Sequence, residues 1–494
     1  MGVKMTTQEE EYSLGHGGRV DADTVDGRHL SEIIMEARKY SGGQKSFQLP
    51  ASYIIFKDGN NTCALNGATG TVKCGSNASE IFNWCYGNLT SGGLIFFKGN
   101  FIIESTIYPT DMTSLVGEGI SSSVLTAGSS LTGSVIGYSN PSHPTWGLRS
   151  LRFANFRINC GSKTVDAIKI KMAYSTMDNL FITGGSPKCD GVGINVTTEG
   201  LTDYRGENHI NNVFIHSFTR GALWYEPDDS RFSNIDTYSC GNESYSSVVI
   251  KGSNNNITNC LFDSSGKNNI EIHAIKNRFS NSRFESSKED LVKIYVETSS
   301  YVSSIQFSNC HFLFKNAIAN NTYALIYGYA PSTGRVNALK LDSCVFSNDV
   351  ASIPKYAILL ERDDYCTISN NTFTTAPSTA QVSIDNLWIR TTVRNNPGFN
   401  PVGKLATPFE TTSGIVGLGG DESAPTSATT YAVSGVDCLI TSSGGTVSDI
   451  TIYDSANNVI ESGITSMTMA RYLPIGYKIK FTFTVTPTVA VYGN

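Results

Sequence analysis

"NCLFDSSG" at residues 259–266 returns as "NSRFESSK" at 281–288, with Asn, Phe, a carboxylate and two serines at matching places. The same opening recurs along the chain as "ANFRI" (Asn155), "DNLFI" (Asn179), "NNVFI" (Asn212), "SNIDTY" (Asn234), "NCHF" (Asn309), "SCVF" (Ser343) and "NNTF" (Asn370). The intervals run 24, 33, 22, 25, 22, 28, 34 and 27 residues. A constant phrase at a variable interval describes a fixed strand and turn alternating with loops free to grow. That pattern predicts a solenoid of short parallel strands, each coil lying about 4.8 Å from the last.

Inside such a solenoid like residues stack on like. Phe262, Phe284, Phe312, Phe346 and Phe373 are expected to form one ladder, and Cys260, Cys310 and Cys344 another. The leading Asn suits a corner, because it tolerates the left-handed backbone region and can bond its counterparts above and below. Of eleven cysteines, most lie in apolar runs and are expected buried and reduced. Cys63 and Cys74, able to face each other across a hairpin, are the expected exception.

Charged residues make up 16% of the chain and the net charge is −6. Nucleic acid is excluded as a partner on this basis, since phosphate backbones need a concentrated Lys/Arg face. No apolar run approaches the ~20 residues that span a bilayer, so membrane insertion is not expected. The start, "MGVKMTTQEEEYSLGHGG", lacks a secretory signal; either export is by another route or a leader is missing. "SNASEIFNWCYGNLTSGG" reads as a short amphipathic helix capped by Asn77, with Ile81, Trp84, Cys85 and Leu89 on one face and Gly92-Gly93 ending it. Its expected task is to close the solenoid's open end.

The run from "NGATGTVKCGSNASEIFNWCYG" to "LIFFKGNFIIESTIYPTDMTSLVGEG" resembles the entry to pectate-lyase-like right-handed parallel β-helices. That family includes polysaccharide lyases and hydrolases and viral tailspikes. The resemblance implies an all-β chain: a right-handed single-stranded parallel β-helix over 49–403 with a short capping helix. Its catalytic signatures are another matter. The Asn-Thr-Asp strand and paired Asp-Asp of polygalacturonase-like enzymes, and the arginine motif of pectate lyases, are missing, and the one Gly-His-Gly, Gly15–Gly17, precedes the solenoid.

Residues 22–32, within "VDADTVDGRHLSEIIMEARKY", are similar to a phrase of viral tail-fibre proteins. Segment 1–48 is therefore read as an attachment to other virion tail components, with a turn at Asp26-Gly27. Residues 404–425 read as a Gly/Pro/Ser/Thr linker. Residues 426–494 alternate as in an antiparallel β-sandwich and resemble the terminal modules behind viral β-helices, which hold trimers together or bind sugars.

Two clusters carry the chemical expectations. Aligned on Asn and Phe, Asp263 falls beneath Glu285 one coil apart, with Arg283 beside it; two carboxylates on a rigid wall repel and can divide acid and base roles. The coil before adds Glu226, Asp228 and Asp229 with Trp224, Tyr225 and Arg231 in "WYEPDDSRF"; an aromatic beside carboxylates suits a sugar ring. The competing reading leaves both clusters as solvated corners. No cofactor and no metal is called for. The leading expectation is a tailspike or tail-fibre protein, in the virion tail or extracellular, homotrimeric, binding a host surface polysaccharide, with cleavage left open. The alternatives are a free microbial lyase or glycoside hydrolase, and a non-enzymatic adhesin or structural spike.

Overall fold

The computed structural model describes residues 51–138, 147–202, 206–296, most of 301–396, the strands of a C-terminal module between 415 and 493, and two short strands near residue 25. Three stacks of parallel strands build residues 93–394 into a parallel β-helix. The first wall holds ten strands, from Gly133–Gly137 through Leu223–Tyr225, Val248–Ile250, Ile270–Ile272 and Val292–Tyr295 to Ala380–Asp385. The second and third walls lie before and after the recurring Asn. In the four coils from Arg152–Gly161 to Arg231–Tyr238 one strand runs through both; the coils before and after split it, as in Gly93–Phe97 and Gly99–Ile103 or Asn256–Thr258 and Leu261–Asp263.

The recurring phrase is the bend between those two walls. Asn155, Asn179, Asn212, Asn234, Asn259, Asn281, Asn309, Ser343 and Asn370 all adopt φ between 50° and 60°, the left-handed region that Asn enters at least cost. Exposed amides bridge coils here: Asn179 Nδ2 donates to Asn155 Oδ1 at 3.0 Å and Asn234 Nδ2 to Asn212 Oδ1 at 3.1 Å. Two further left-handed columns turn the other corners. Ser217, Ser239, Ser264 and Ser286 lead from the third wall to the first; a mixed column including Met112, Tyr174, Asp229 and Asn254 leads from the first to the second.

Just past that last corner the chain is buried, and its amides are satisfied by side chains from the next coil. The N–H of Ser175 donates to Asn208 Oδ1, that of Asn208 to Ser230 Oγ, that of Ser230 to Asn255 Oδ1 and that of Asn255 to Asn277 Oδ1.

The expected ladders are present. Phe262, Phe284, Phe312, Phe346 and Phe373 stack with successive centroids 5.1, 5.0, 5.0 and 4.8 Å apart. All five are buried, as are Cys260, Cys310 and Cys344. Burial of these rings is the main stabilising term, about 25 cal/mol for each Å² of apolar surface. Cys63 and Cys74 face each other across an antiparallel pair and form a disulfide; the other eight described cysteines are free and buried.

The helix α1, Ala78–Gly87, is capped as expected: Asn77 accepts from the Ser79 N–H at 3.0 Å. It ends sooner than the glycines suggest. Asn88 closes it, its side-chain amide donating to Trp84 O at 2.7 Å, and Leu89 is buried beyond the helix. Phe82 packs edge-on against Phe97 and Phe101 at 5.6 and 5.4 Å, so α1 covers the start of the core.

Of the attachment segment, Thr24–Val25 pairs antiparallel with Arg28–His29; the rest, the expected Asp26-Gly27 turn included, lies outside the described residues. At the other end two antiparallel sheets form, of five and three strands. Ile415–Val416, within the stretch read as linker, is a strand of the larger one.

Candidate functional site

Strand alternation sorts every residue after the bend. Counting from the Asn, the first and third residues point inward and the second and fourth outward. The inward third is Phe262, Phe284 or Phe312. The outward second residues form one row: Arg157, Phe181, Phe214, Asp236, Leu261, Arg283 and His311. The outward fourth residues form another: His216, Tyr238, Asp263, Glu285 and Leu313. Asp263 and Glu285 are register partners on one face, as expected.

Their surroundings differ. Glu285 is 8% exposed, and Arg283 donates to its Oε2 at 2.5 Å. Asp263 accepts from Ser264 Oγ at 2.9 Å. A third carboxylate, Asp236, completes the group; half-burial pushes its pKa up, and the charges of Asp263 and Glu285 push it the same way. Asp236 was not among the residues expected from the sequence. Up-wall from it the rows become aromatic: Phe181 and Phe214 stack at 5.0 Å, His216 lies 5.3 Å from Phe214, and the Arg157 guanidinium sits 4.6 Å over Phe181. His216 is held below its ordinary pKa by burial and then by Arg157.

One residue past Asp263 the wall opens into a cleft of about 650 Å³, with Lys188, Ser239, Glu243, Ser264 and Lys288 in its lining.

The second expected cluster converges only in part: Glu226 and Asp228 line one cavity of about 380 Å³ with Thr198 and Lys251, while Tyr225, Asp229 and Arg231 are placed elsewhere. In Leu223–Tyr225 alternation turns Trp224 outward and Tyr225 into the core, where it is fully buried and its hydroxyl donates to Ser230 Oγ at 2.5 Å and accepts from Asn208 Nδ2 at 2.9 Å. Tyr225 is thus a core residue, and the expectation that it contacts substrate is corrected. Arg231 opens the second-wall half of its strand, in register with His209 and Asn256. Asp229 is a left-handed bend residue that accepts from Asn254 Nδ2. Asp228 accepts from the Ser253 N–H, and burial, then Asp229, raise its pKa.

Trp224 and Glu226 remain on the first wall, far around the coil from Asp263. Trp224 Nε1 donates to Glu226 Oε1 at 2.9 Å, and the Lys251 ammonium lies 4.4 Å over the indole. Although half-burial opposes it, donors from Thr198, Trp224 and Thr197 hold Glu226 below the usual carboxylate range. Further along this wall Tyr295 and Tyr329 stack at 5.3 Å, with Lys293 within 5.5–6.0 Å of the rings of Tyr295, Tyr327 and Tyr329. Glu271 is likewise tied down: against its burial, bonds with His273 and Ser246 and the Lys267 charge hold it well below the ordinary range. Among the described residues no three His, Cys, Asp or Glu side chains gather as metal ligands, and no helix is long and apolar enough to cross a membrane.

No protein-family model matches the chain, and no curated protein does. Solved structures resemble it at low identity. The A-module of mannuronan C-5 epimerase AlgE6 from Azotobacter vinelandii is 12% identical, over 66% of this chain and 96% of that one, with a TM-score of 0.42. DFA-IIIase from Arthrobacter chlorophenolicus A6, in complex with DFA-III, is 11% identical over 64% and 90%, TM-score 0.44. ORF18 of Geobacillus virus E2 is 10% identical over 88% and 86%, TM-score 0.38. The three stacked ladders themselves establish the fold: this chain is a parallel β-helix with a helical cap and a C-terminal antiparallel module.

Proposed function

We propose that the protein is a spike of the viral tailspike or tail-fibre type that binds a host surface polysaccharide along its outer walls and hydrolyses it at the third wall. The observation that carries this is the pair of outward rows. Across five coils, about 4.8 Å apart, stacked rings give way to three carboxylates with one pushed toward protonation. A saccharide chain needs both: faces to stack on and an acid–base pair at one bond. In this reading Asp236 gives its proton to the glycosidic oxygen. Asp263 takes the proton of the attacking water or itself attacks the anomeric carbon. Glu285, clamped by Arg283, adds to the upward push on Asp236.

The tail-fibre-like phrase at 22–32 supports a virion attachment, and the long parallel shaft with a terminal module supports a homotrimer. A binding-only spike is the second reading, favoured by Glu285 being committed to Arg283. Incubation with capsular, cell-wall and pectic polysaccharides, assayed for reducing ends and for unsaturated products, separates the two. New reducing ends without unsaturated products are expected; binding without products leaves the spike non-enzymatic. Mass in solution is expected to be that of three chains, and a stable monomer overturns the spike reading.

A further inference from the structure

The cleft beside the third wall holds charges that the carboxylate site does not use. Lys188 Nζ donates to Gly241 O at 3.2 Å, which fixes the ammonium in the cleft. Lys288 lines the same cavity from the coils below. The two ammoniums act on one another: burial lowers the Lys188 pKa, and the charge of Lys288 lowers it further. Among the described residues neither lysine is in an ion pair with a carboxylate. Glu243 is the one acid in the lining; Ser239, Ser244, Ser264 and Ser265 supply hydroxyls. Two like charges at one half-enclosed site repel, and an anion between them turns that repulsion into attraction.

We propose that this cleft is an anion subsite that takes the carboxylate or sulfate of a charged sugar, making the ligand an acidic polysaccharide. The proposal rests on the polysaccharide reading and sharpens it. Ser264 joins the two places, since its residue lines the cleft while its hydroxyl donates to Asp263. A sugar whose charged group enters the cleft therefore sets its neighbour in the chain against the carboxylate wall. The serine bends matter here, because their left-handed turns carry short hydroxyl side chains into the cavity and leave room for a ligand.

The test reads the lysines directly. The full chain is acetylated with limiting acetic anhydride in the presence of glucuronate, inorganic sulfate or glucose, and Lys188 and Lys288 are quantified by mass spectrometry against Lys340 as an internal control. Protection of both cleft lysines by glucuronate or by sulfate, and not by glucose, is expected; the two arms tell carboxylate from sulfate. Equal modification in all three overturns the subsite. Polygalacturonate, dextran sulfate and uncharged dextran then test the polymer. Lys188→Gln and Lys288→Gln are each expected to weaken the acidic polymer about tenfold and to leave dextran unchanged. Protection by the small anions with no polymer bound would sink the polysaccharide reading and leave the subsite standing. Unaltered acidic-polymer binding in the double variant sinks the subsite and leaves that reading intact.

Discussion

The third and first walls present the same residue types to solvent and treat their carboxylates in opposite ways. On the first wall Glu226 accepts from Trp224, Thr197 and Thr198, and Glu271 from Ser246, Asn268 and His273. Each is held ionised by donors on its own or an adjacent coil. On the third wall Asp236 faces other acids and is pushed the other way. Carboxylates tied by donors make a stable charged surface, whereas one raised by burial and by neighbouring acids is shifted toward holding a proton it can hand over. The difference lies in the coil-to-coil neighbours, and under the proposed function it would make one side of the fold a platform and another a reactive strip.

The sharpest way to break this contrast is Asp236→Asn. Loss of the proton donor is expected to cut cleavage about 100- to 10,000-fold with polymer binding retained. Glu271→Gln, on the other wall, is expected to leave the rate within about threefold. Equal losses, measured as reducing ends released, would erase the distinction.

A second test uses Asp290, which lies just before the first-wall strand and is fully buried. It accepts from the Ala324 N–H at 2.8 Å, yet burial lifts its pKa to about 7. The folded chain therefore holds a proton that the unfolded chain sheds near pH 4. Its contribution is fully present below that pH and is lost as pH rises through about 7, a change of about 4 kcal/mol. Thermal melts from pH 4 to pH 8 should show the decline, and Asp290→Asn should flatten it.

The smallest effect belongs to the platform. Trp224→Ala removes one stacking face and the Lys251 contact, and is expected to weaken polymer binding about fivefold to tenfold with the cleavage rate of bound polymer unchanged. A change in that rate at saturation would join the two walls into one site.

Much of this was legible in the chain. Asn259 and Phe262 announce bend and core because only a few residue types tolerate a left-handed corner and because rings stack on rings. The register that joins Asp263 to Glu285 follows from the same alignment. Tyr225 was misread although the means to place it were present: adjacent residues in a strand face opposite ways, so Trp224 and Tyr225 cannot share a surface. Asp236 escaped because "SNIDTY" lacks the Phe that marks the other phrases; counting two and four residues from each Asn finds it together with His216 and Tyr238. The left-handed positions Met112, Tyr174 and Asp229 carry no residue signature, since coil-to-coil backbone bonds serve their own amides; the Asn and Ser side chains that complete this corner stand one residue later. Lys188 and Lys288 are 100 residues apart, and no local phrase connects them.

The chain of amides through Ser175, Asn208, Ser230, Asn255 and Asn277 gives the shaft a direction in time. Each coil's corner donor is completed by a side chain made 22 to 33 residues later. A chain growing from its N-terminus therefore always ends in one coil whose corner awaits its successor. Inserting a whole coil would preserve that chain of bonds, whereas replacing a single corner Asn by Ala is expected to leave one buried N–H without its acceptor, at a cost of about 1–3 kcal/mol.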